Sequence, residues 1–592
     1  MLALRPMAKR EVDLLVVGAG PAGMTAALVA ALEGLDVLLA EQSAQVGGTG
    51  ATSAGTLWIP GNRQSKAAGF SDSAEQAETY LHALIGPSAR SDIIRAFLQT
   101  GPDAIDYLEA RTDVQFAPCG KHPDYRNNMP GAAVTGRAIV AKPFDGRLLG
   151  RDFKRVRAPI AEFMLLGGMM VGKEDIAPLI GRFRSPGNFL HAAKLFLRYL
   201  GDRLRFARGT RITMGNALIA RLFASLRKRD VPILFGAALV DLVGDRGGVT
   251  GARLRVDGGE IVVKARKGVV LATGGYGHNK ALRERFMPQP TPAFSLSFAG
   301  NRGDGVSIGE KLGAQLSPER CTSGLWTPVS VTARAGGGRG LYPHLSLDRA
   351  KPGLIAVNSA GRRFVNEGLS YHDFVLAMFE SHKTVPSIPA YLICDAAFIR
   401  KHGLGDIHPG TRNLKRFEAN GYIVGAATLD ALAAKIGVDA AGLRDSVARN
   451  NRYAASGSDP DFGKGELELN RFNGDPGHKP NPCLGPIAAP PFYAIAVWPA
   501  DIAVSTGLAT DADARVLDTA GQPIPGLYAC GNDMASVMGG SYPGPGTTLG
   551  PAIVFAYRAV MHARGARSPP SLQHVRLIGC LLGRRTIHTC RS

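Results

Sequence analysis

Cysteine is scarce, with 7 in 592 residues at positions 119, 321, 394, 483, 530, 580 and 590 and no C-x-x-C pair among them. An odd, scattered set argues against a disulfide framework or a thiolate metal cluster, and predicts a metal-free chain suited to a reducing cytoplasm. Long apolar runs are missing too. The nearest, residues 163–172 (FMLLGGMMVG), falls short of the roughly 18–20 residues a membrane span needs and predicts a core or substrate-pocket segment. The N-terminal residues hold no apolar stretch of signal-peptide length. The 38 prolines are dispersed, which excludes a proline-rich linker, and acidic residues are few: 49 Asp and Glu against 69 Lys and Arg, a net charge of +20.

Residues 12–41, VDLLVVGAGPAGMTAALVAALEGLDVLLAE, organise the rest. An apolar run over 14–17 has the bulk of a buried parallel strand. It breaks into Gly18-Ala19-Gly20-Pro21-Ala22-Gly23, continues as an Ala-rich helix, and is followed by a second strand over 36–40 that ends on Glu41. Strand, glycine turn, helix, strand and terminal acid form the dinucleotide fingerprint of a βαβ unit. Gly18 allows the tight turn, Gly20 admits a pyrophosphate, and Gly23 lets helix pack on strand. The helix N-terminus offers free N–H groups and a positive dipole end to phosphate. Glu41, 18 residues past Gly23, is placed to accept from a ribose hydroxyl, with Gln42 beside it.

At 592 residues the chain is long enough for two domains. More than half of the net charge sits in residues 151–230, where 17 Lys and Arg face 6 Asp and Glu. Nucleic-acid binding is one reading of such a cluster and a solvated helix face another. The cations alternate with apolar residues at helical spacing (HAAKLFLRYLGDRLRF) and no nucleic-acid module accompanies them. That pattern favours a basic amphipathic surface lying on a membrane or another acidic surface, and no nucleic-acid partner.

After the βαβ unit come Gly47-Gly48-Thr49, Ser53-Ala54-Gly55 and Trp58-Ile59-Pro60. Small residues here let backbone approach a flat ligand, and Thr49 and Ser53 offer hydroxyls. The G-G-T-x-A-x-S-x-G-x-x-W-I-P pattern resembles the flavoproteins grouped with fumarate reductase and succinate dehydrogenase, in their 3-ketosteroid Δ1-dehydrogenase branch. Ala272-Thr273-Gly274-Gly275, Gly531-Asn532 and Tyr542-Pro543-Gly544-Pro545-Gly546 with Thr548-Leu549-Gly550-Pro551 continue the resemblance. It implies FAD, held non-covalently because this segment has no histidine for a histidyl link. It also implies an α/β fold in which a Rossmann-like FAD-binding domain, with a parallel sheet and a small antiparallel sheet, is interrupted by an α+β catalytic domain. The expected boundaries are 1–330 with a basic helical insertion at about 151–210, then 331–500, a return over 501–564, and a basic tail over 565–592 for which disorder is expected. Residues 233–235, 249–256 and 260–264 are expected to form the antiparallel sheet, and 268–275 a separate buried strand.

The same resemblance implies the chemistry. Four residues past Glu367, fumarate reductase-like proteins have a proton-donating arginine; here Tyr371 stands, as in the ketosteroid branch. Tyr125 matches an active-site tyrosine of the family, although Arg126 replaces the aromatic that many relatives have next to it. Removing hydrogen from a C–C bond beside a ketone needs a grip on the carbonyl, a base for the α-proton and a hydride acceptor. Tyr542 O–H with Gly546 N–H is the expected oxyanion hole, Tyr371 the base aided by Tyr125, and flavin N5 the acceptor. A helix beginning near 549 is expected to point its positive end at the flavin. The implied substrate is a hydrophobic, steroid-like ketone gaining a C1–C2 double bond, with an unassigned electron acceptor. The alternatives are a non-steroidal ketone and a fumarate- or urocanate-type reductase; a membrane-docking flavoprotein without catalysis is the remaining class.

Overall fold

The computed structural model describes residues 11–86, 90–245, 247–317, 321–334, 337–345 and 348–565. The expected tail beyond 565 and the first ten residues lie outside that set.

The apolar run and its flanks form β1 (Glu11–Val17), the Ala-rich stretch forms α1 (Pro21–Leu32), and β2 (Val37–Glu41) follows. β1 pairs in parallel with β2, Leu14 opposite Val37 and Val17 opposite Ala40. On its other side β1 pairs in parallel with Gly259–Leu271, which in turn pairs with Pro523–Ala529. Pro523–Ala529 thus lies in the sheet that holds the opening strand, one strand away from β1. α1 packs against the C-terminal helix Leu549–Arg564, and the whole forms one buried aliphatic layer.

Two strand expectations need correction. Residues 233–235 do not join the antiparallel strands; Ile233–Phe235 extends the parallel sheet at the free edge of β2, with Ile233 opposite Leu39. A three-residue apolar run carries no sign of direction, so only the available edge decides. Nor are 260–264 and 268–275 separate: Gly259–Leu271 is a single strand. Its first half pairs antiparallel with Gly248–Val256 and its second half parallel with β1. The charged run between them hid this continuity. Arg266 sits there with its side chain at the solvent-exposed start of β1, where it pairs with Asp13 at 3.0 Å and Glu11 at 3.1 Å.

A second, seven-stranded sheet carries the other half of the molecule. Its order is Arg339–Pro343, Gly324–Ala333, Phe492–Val504, Ala390–Asp395 and Leu354–Val357, with Phe294–Ser295 and Val424–Ala426 also on the long Phe492–Val504 strand. The fold is therefore α/β, with a Rossmann-like FAD-binding part interrupted by an α+β part. Between the two cores lies a small cluster of its own: Tyr125, Tyr371, Tyr542, Leu325, Leu469, Ile502 and Ala503.

Candidate active site

Backbone geometry at the glycine turn follows from contact distances. Gly18 has φ +104°, and a Cβ there would lie 2.2 Å from the Ala272 carbonyl oxygen. A Cβ on Gly23 would lie 1.8 Å from the Gly18 oxygen. Both glycines are required by the chain's own packing. Gly20 differs: a Cβ on it would meet no atom within 4 Å. It borders a cavity of about 300 Å³ that runs from this turn to the tyrosine cluster. Open space over Gly20, the uncapped N-terminus of α1 and a carboxylate at the end of β2 together fit a dinucleotide.

Every cofactor residue expected from the sequence lines this cavity except Gly23 and Gly47. Those two sit behind it, Gly23 between helix and strand and Gly47 against Ala51 and Ile219. Glu41 reaches the cavity while already accepting from Ala19 N at 2.7 Å and Ser43 N at 2.8 Å. Two expected hydroxyls are engaged within the chain. Thr49 Oγ1 accepts from Phe298 N and Asn301 Nδ2, and Ser53 Oγ donates to the Gly50 carbonyl at 2.7 Å. Thr548 and Leu549 line the cavity at the start of the C-terminal helix.

At the other end three phenols meet. Tyr125 Oη donates to Tyr371 Oη at 3.0 Å, and Tyr371 Oη donates to Tyr542 Oη at 2.8 Å. Their ring centroids are 5.2–5.4 Å apart. Tyr371 opens the helix Tyr371–His382, whose cap Ser370 accepts from Asp373 N and donates to Asp373 Oδ2. Asp373 is then gripped by Arg126 at 2.7 Å. Arg126, the departure from the family pattern, is thus a tie between the Tyr125 loop and the Tyr371 helix. A second tie runs from Tyr125 N to the Pro543 carbonyl at 2.8 Å, which also accepts from Tyr80 Oη. Gly546, with φ +95°, packs against Leu57 and Trp58, and its N–H has no acceptor among the described residues.

Burial pushes the hydroxyls of Tyr125, Tyr371 and Tyr542 well above the usual phenol range. One cation opposes that at Tyr371 and Tyr125: Arg349, fully buried, with its guanidinium donating to the carbonyls of His344, Leu345, Glu367 and Leu369. Burial draws Arg349 itself down to about 10. His372, its ring 5.7 Å from that of Tyr542, is lowered to about 4 by burial and is neutral at pH 7, its Nδ1 accepting from Trp326 N.

Sequence reasoning missed Arg349, because a cation held by four backbone carbonyls has no local signature. It also missed Asp533. That buried carboxylate accepts from Thr273 N, Thr273 Oγ1 and Gly275 N, fastening the A-T-G-G strand end to the G-N-D turn. Burial raises it to about 6. The Gly531-Asn532-Asp533 run was the available signal.

The FAD binding domain family matches residues 13–549. A 4-oxocyclohex-2-ene-1-carboxylate 5-dehydrogenase of Sinomonas cyclohexanicum is 40% identical over 92% of this chain and 92% of its own. A 3-oxosteroid 1-dehydrogenase of Mycobacterium tuberculosis is 36% identical over 94% of this chain and 99% of its own. The crystal structure of a 3-ketosteroid delta1-dehydrogenase from Sterolibacterium denitrificans in complex with 1,4-androstadiene-3,17-dione superposes with a TM-score of 0.87. That match has 37% identity and covers 94% of this chain and 100% of that one.

Proposed function

Because this chain belongs to the fumarate reductase/succinate dehydrogenase flavoproteins, as an FAD-dependent dehydrogenase acting on the CH–CH groups of cyclic ketones, we propose that its substrate is a neutral, steroid-like 3-ketone and its product the C1–C2 alkene. What supports this is one juxtaposition: three hydrogen-bonded phenols and the Gly546 N–H at a cavity with no Lys or Arg among its described lining residues. A dicarboxylate, or a cyclohexenone bearing a carboxylate, would be desolvated there without a Lys or Arg to pair with. A neutral multi-ring ketone fits the apolar walls supplied by Ile160, Phe163, Leu345 and Leu469.

In this mechanism Tyr542 O–H and Gly546 N–H donate to the ketone oxygen and stabilise the enolate that forms when the α-proton leaves. One such donor contributes about 3–4 kcal/mol at the transition state. Tyr371 takes the α-proton. An ordinary phenol is ionised to only ~0.1% at neutral pH, and burial lowers that fraction further, so the ionised form depends on help. Tyr125 O–H donates to the Tyr371 oxygen and the buried Arg349 charge favours its anion. Bound FAD supplies the hydride acceptor for the β-carbon. Glu41 and the N-terminus of α1 would hold the cofactor's ribose and phosphates. An apolar ketone of this kind partitions into lipid, which agrees with a position of the enzyme at a membrane surface.

Anaerobic mixing of the holoenzyme with 4-androstene-3,17-dione tests the proposal: the flavin absorbance bleaches. Bleaching by 4-oxocyclohex-2-ene-1-carboxylate and not by the steroid would overturn the substrate assignment.

A further inference from the structure

The helix Pro186–Arg203 in the basic insertion is apolar on the side facing away from the protein. Its inner stripe is narrow: Leu195, Tyr199 and Asp202 are buried, Tyr199 Oη donating to the Leu166 carbonyl and Asp202 Oδ2 accepting from Thr210 N at 2.7 Å. On the opposite side Phe189, Phe196, Leu197, Leu200 and Leu204 are exposed. At 3.6 residues per turn these five fall within an arc of roughly 100°. A solvated helix carries charge on its outer face. Ten of the fourteen exposed large apolar side chains among the described residues lie between Leu166 and Leu204, with Phe183 80% and Leu190 70% accessible. Clustering of that kind marks a surface built for contact.

Charge says what the contact is with. Lys194 and Arg203 flank the apolar arc, and Arg182, Arg184 and Arg205 are exposed nearby. Glu174 is the sole exposed acid among the described side chains of 174–208; Asp175 and Asp202 are turned inward, Asp175 accepting from Arg211 at 2.7 Å. A second copy of the chain docked here would set these cations against one another. We propose that this insertion seats the protein on an anionic lipid bilayer. The apolar arc enters the headgroup region, while the flanking Lys and Arg stems extend along it toward lipid phosphates. Among the described residues no helix is long and apolar enough to cross a membrane, so the contact is with the surface. The insertion also adjoins the cavity: Ile160 and Phe163 line it, and Phe163 leads directly into the hairpin Met164–Leu165/Met169–Met170 whose tip is Leu166. Supply of ketone from the bilayer follows only if the substrate proposed above is right; lipid binding stands without it.

Sedimentation of the FAD-loaded full chain with vesicles tests this, using phosphatidylcholine alone and phosphatidylcholine with about 30% phosphatidylglycerol. The expected result is binding to the anionic vesicles, weakened by salt. The triple variant Phe183→Ser/Phe189→Ser/Leu197→Ser is expected to lose about tenfold or more of that binding with FAD content unchanged. The pair Lys194→Glu/Arg203→Glu, which leaves the apolar arc intact, is expected to lose it as well. Equal pelleting with both vesicle types, none with either, or unchanged binding of both variants overturns the proposal. So does a wild-type dimer that the triple variant dissolves in sedimentation velocity, which would assign the face to a second copy.

Discussion

At the glycine turn, the strand, the turn, the helix and the terminal acid all come from residues 11–41; the Gly18 oxygen closes off Gly23 from within that stretch, and the Ala272 carbonyl closes off Gly18 from outside it. At the tyrosine cluster, hydroxyls 246 and 171 residues apart are brought within 3.0 Å by three separate ties: Arg126–Asp373, Tyr125–Pro543 and Tyr80–Pro543. Both ends open onto the same cavity. Short-range sterics shape a binding surface, whereas the reacting groups depend on long-range contacts made on a finished scaffold. Damage to the first end should remove the cofactor; damage to the second should leave a yellow, inactive protein.

The largest effect is expected from Gly23→Ala. Its methyl would lie 1.8 Å from the Gly18 oxygen, so α1 cannot close on β1. The purified variant should carry no FAD absorbance and should melt well below the wild type, although Gly23 does not line the cavity. Tyr371→Phe comes next. It deletes the proposed base and leaves ring packing unchanged, so turnover of 4-androstene-3,17-dione should fall about 10³-fold at unchanged FAD content. Tyr542→Phe removes one of the two proposed donors to the carbonyl and should lower turnover by about 10²-fold. A Tyr371→Phe protein that turned over normally, or one that lost its flavin, would erase the contrast between the two ends.

The same contrast explains what the chain disclosed before it folded. The cradle was legible because each requirement, a positive φ at Gly18 or close packing at Gly23, selects a residue type at a fixed spacing. Tyr371 and Tyr542 were nominated only through a family resemblance; nothing in the spacing of either brings them together. Arg349 and Asp533 were not nominated at all, since burial is what makes a lone charge consequential and burial has no local pattern. The direction of Ile233–Phe235 and the continuity of Gly259–Leu271 were lost for a related reason: both are decided by neighbouring strands. The helical spacing of 186–203 was legible, but which of its faces meets water was not.

Titration sharpens the comparison from the side of the tyrosines. Burial holds the Tyr371 hydroxyl well above the ordinary phenol value, so throughout the assayable range the anion that the proposed base needs is the minor form. Its population, and with it kcat/KM, should rise about tenfold per pH unit over alkaline pH, without a plateau near neutrality. FAD retention should show no matching rise. A flat profile would mean that Tyr371 is not the base.

The smallest effect is expected at Arg126. Its guanidinium is 45% exposed, so the pair with Asp373 contributes no more than about 1 kcal/mol after screening by water. That corresponds to a few-fold loss of kcat in Arg126→Ala, since the Tyr125 loop stays attached through Pro543 while losing its hold on the Tyr371 helix. Arg126→Lys keeps a charge within reach of Asp373 and should recover part of the loss. Salt should imitate the substitution in the wild type and have no such effect in Arg126→Ala, because only the wild type has this half-exposed pair to screen. A salt-insensitive wild type would show that Pro543 alone positions Tyr125, and that the arginine standing in for an aromatic has no part in aligning the phenols.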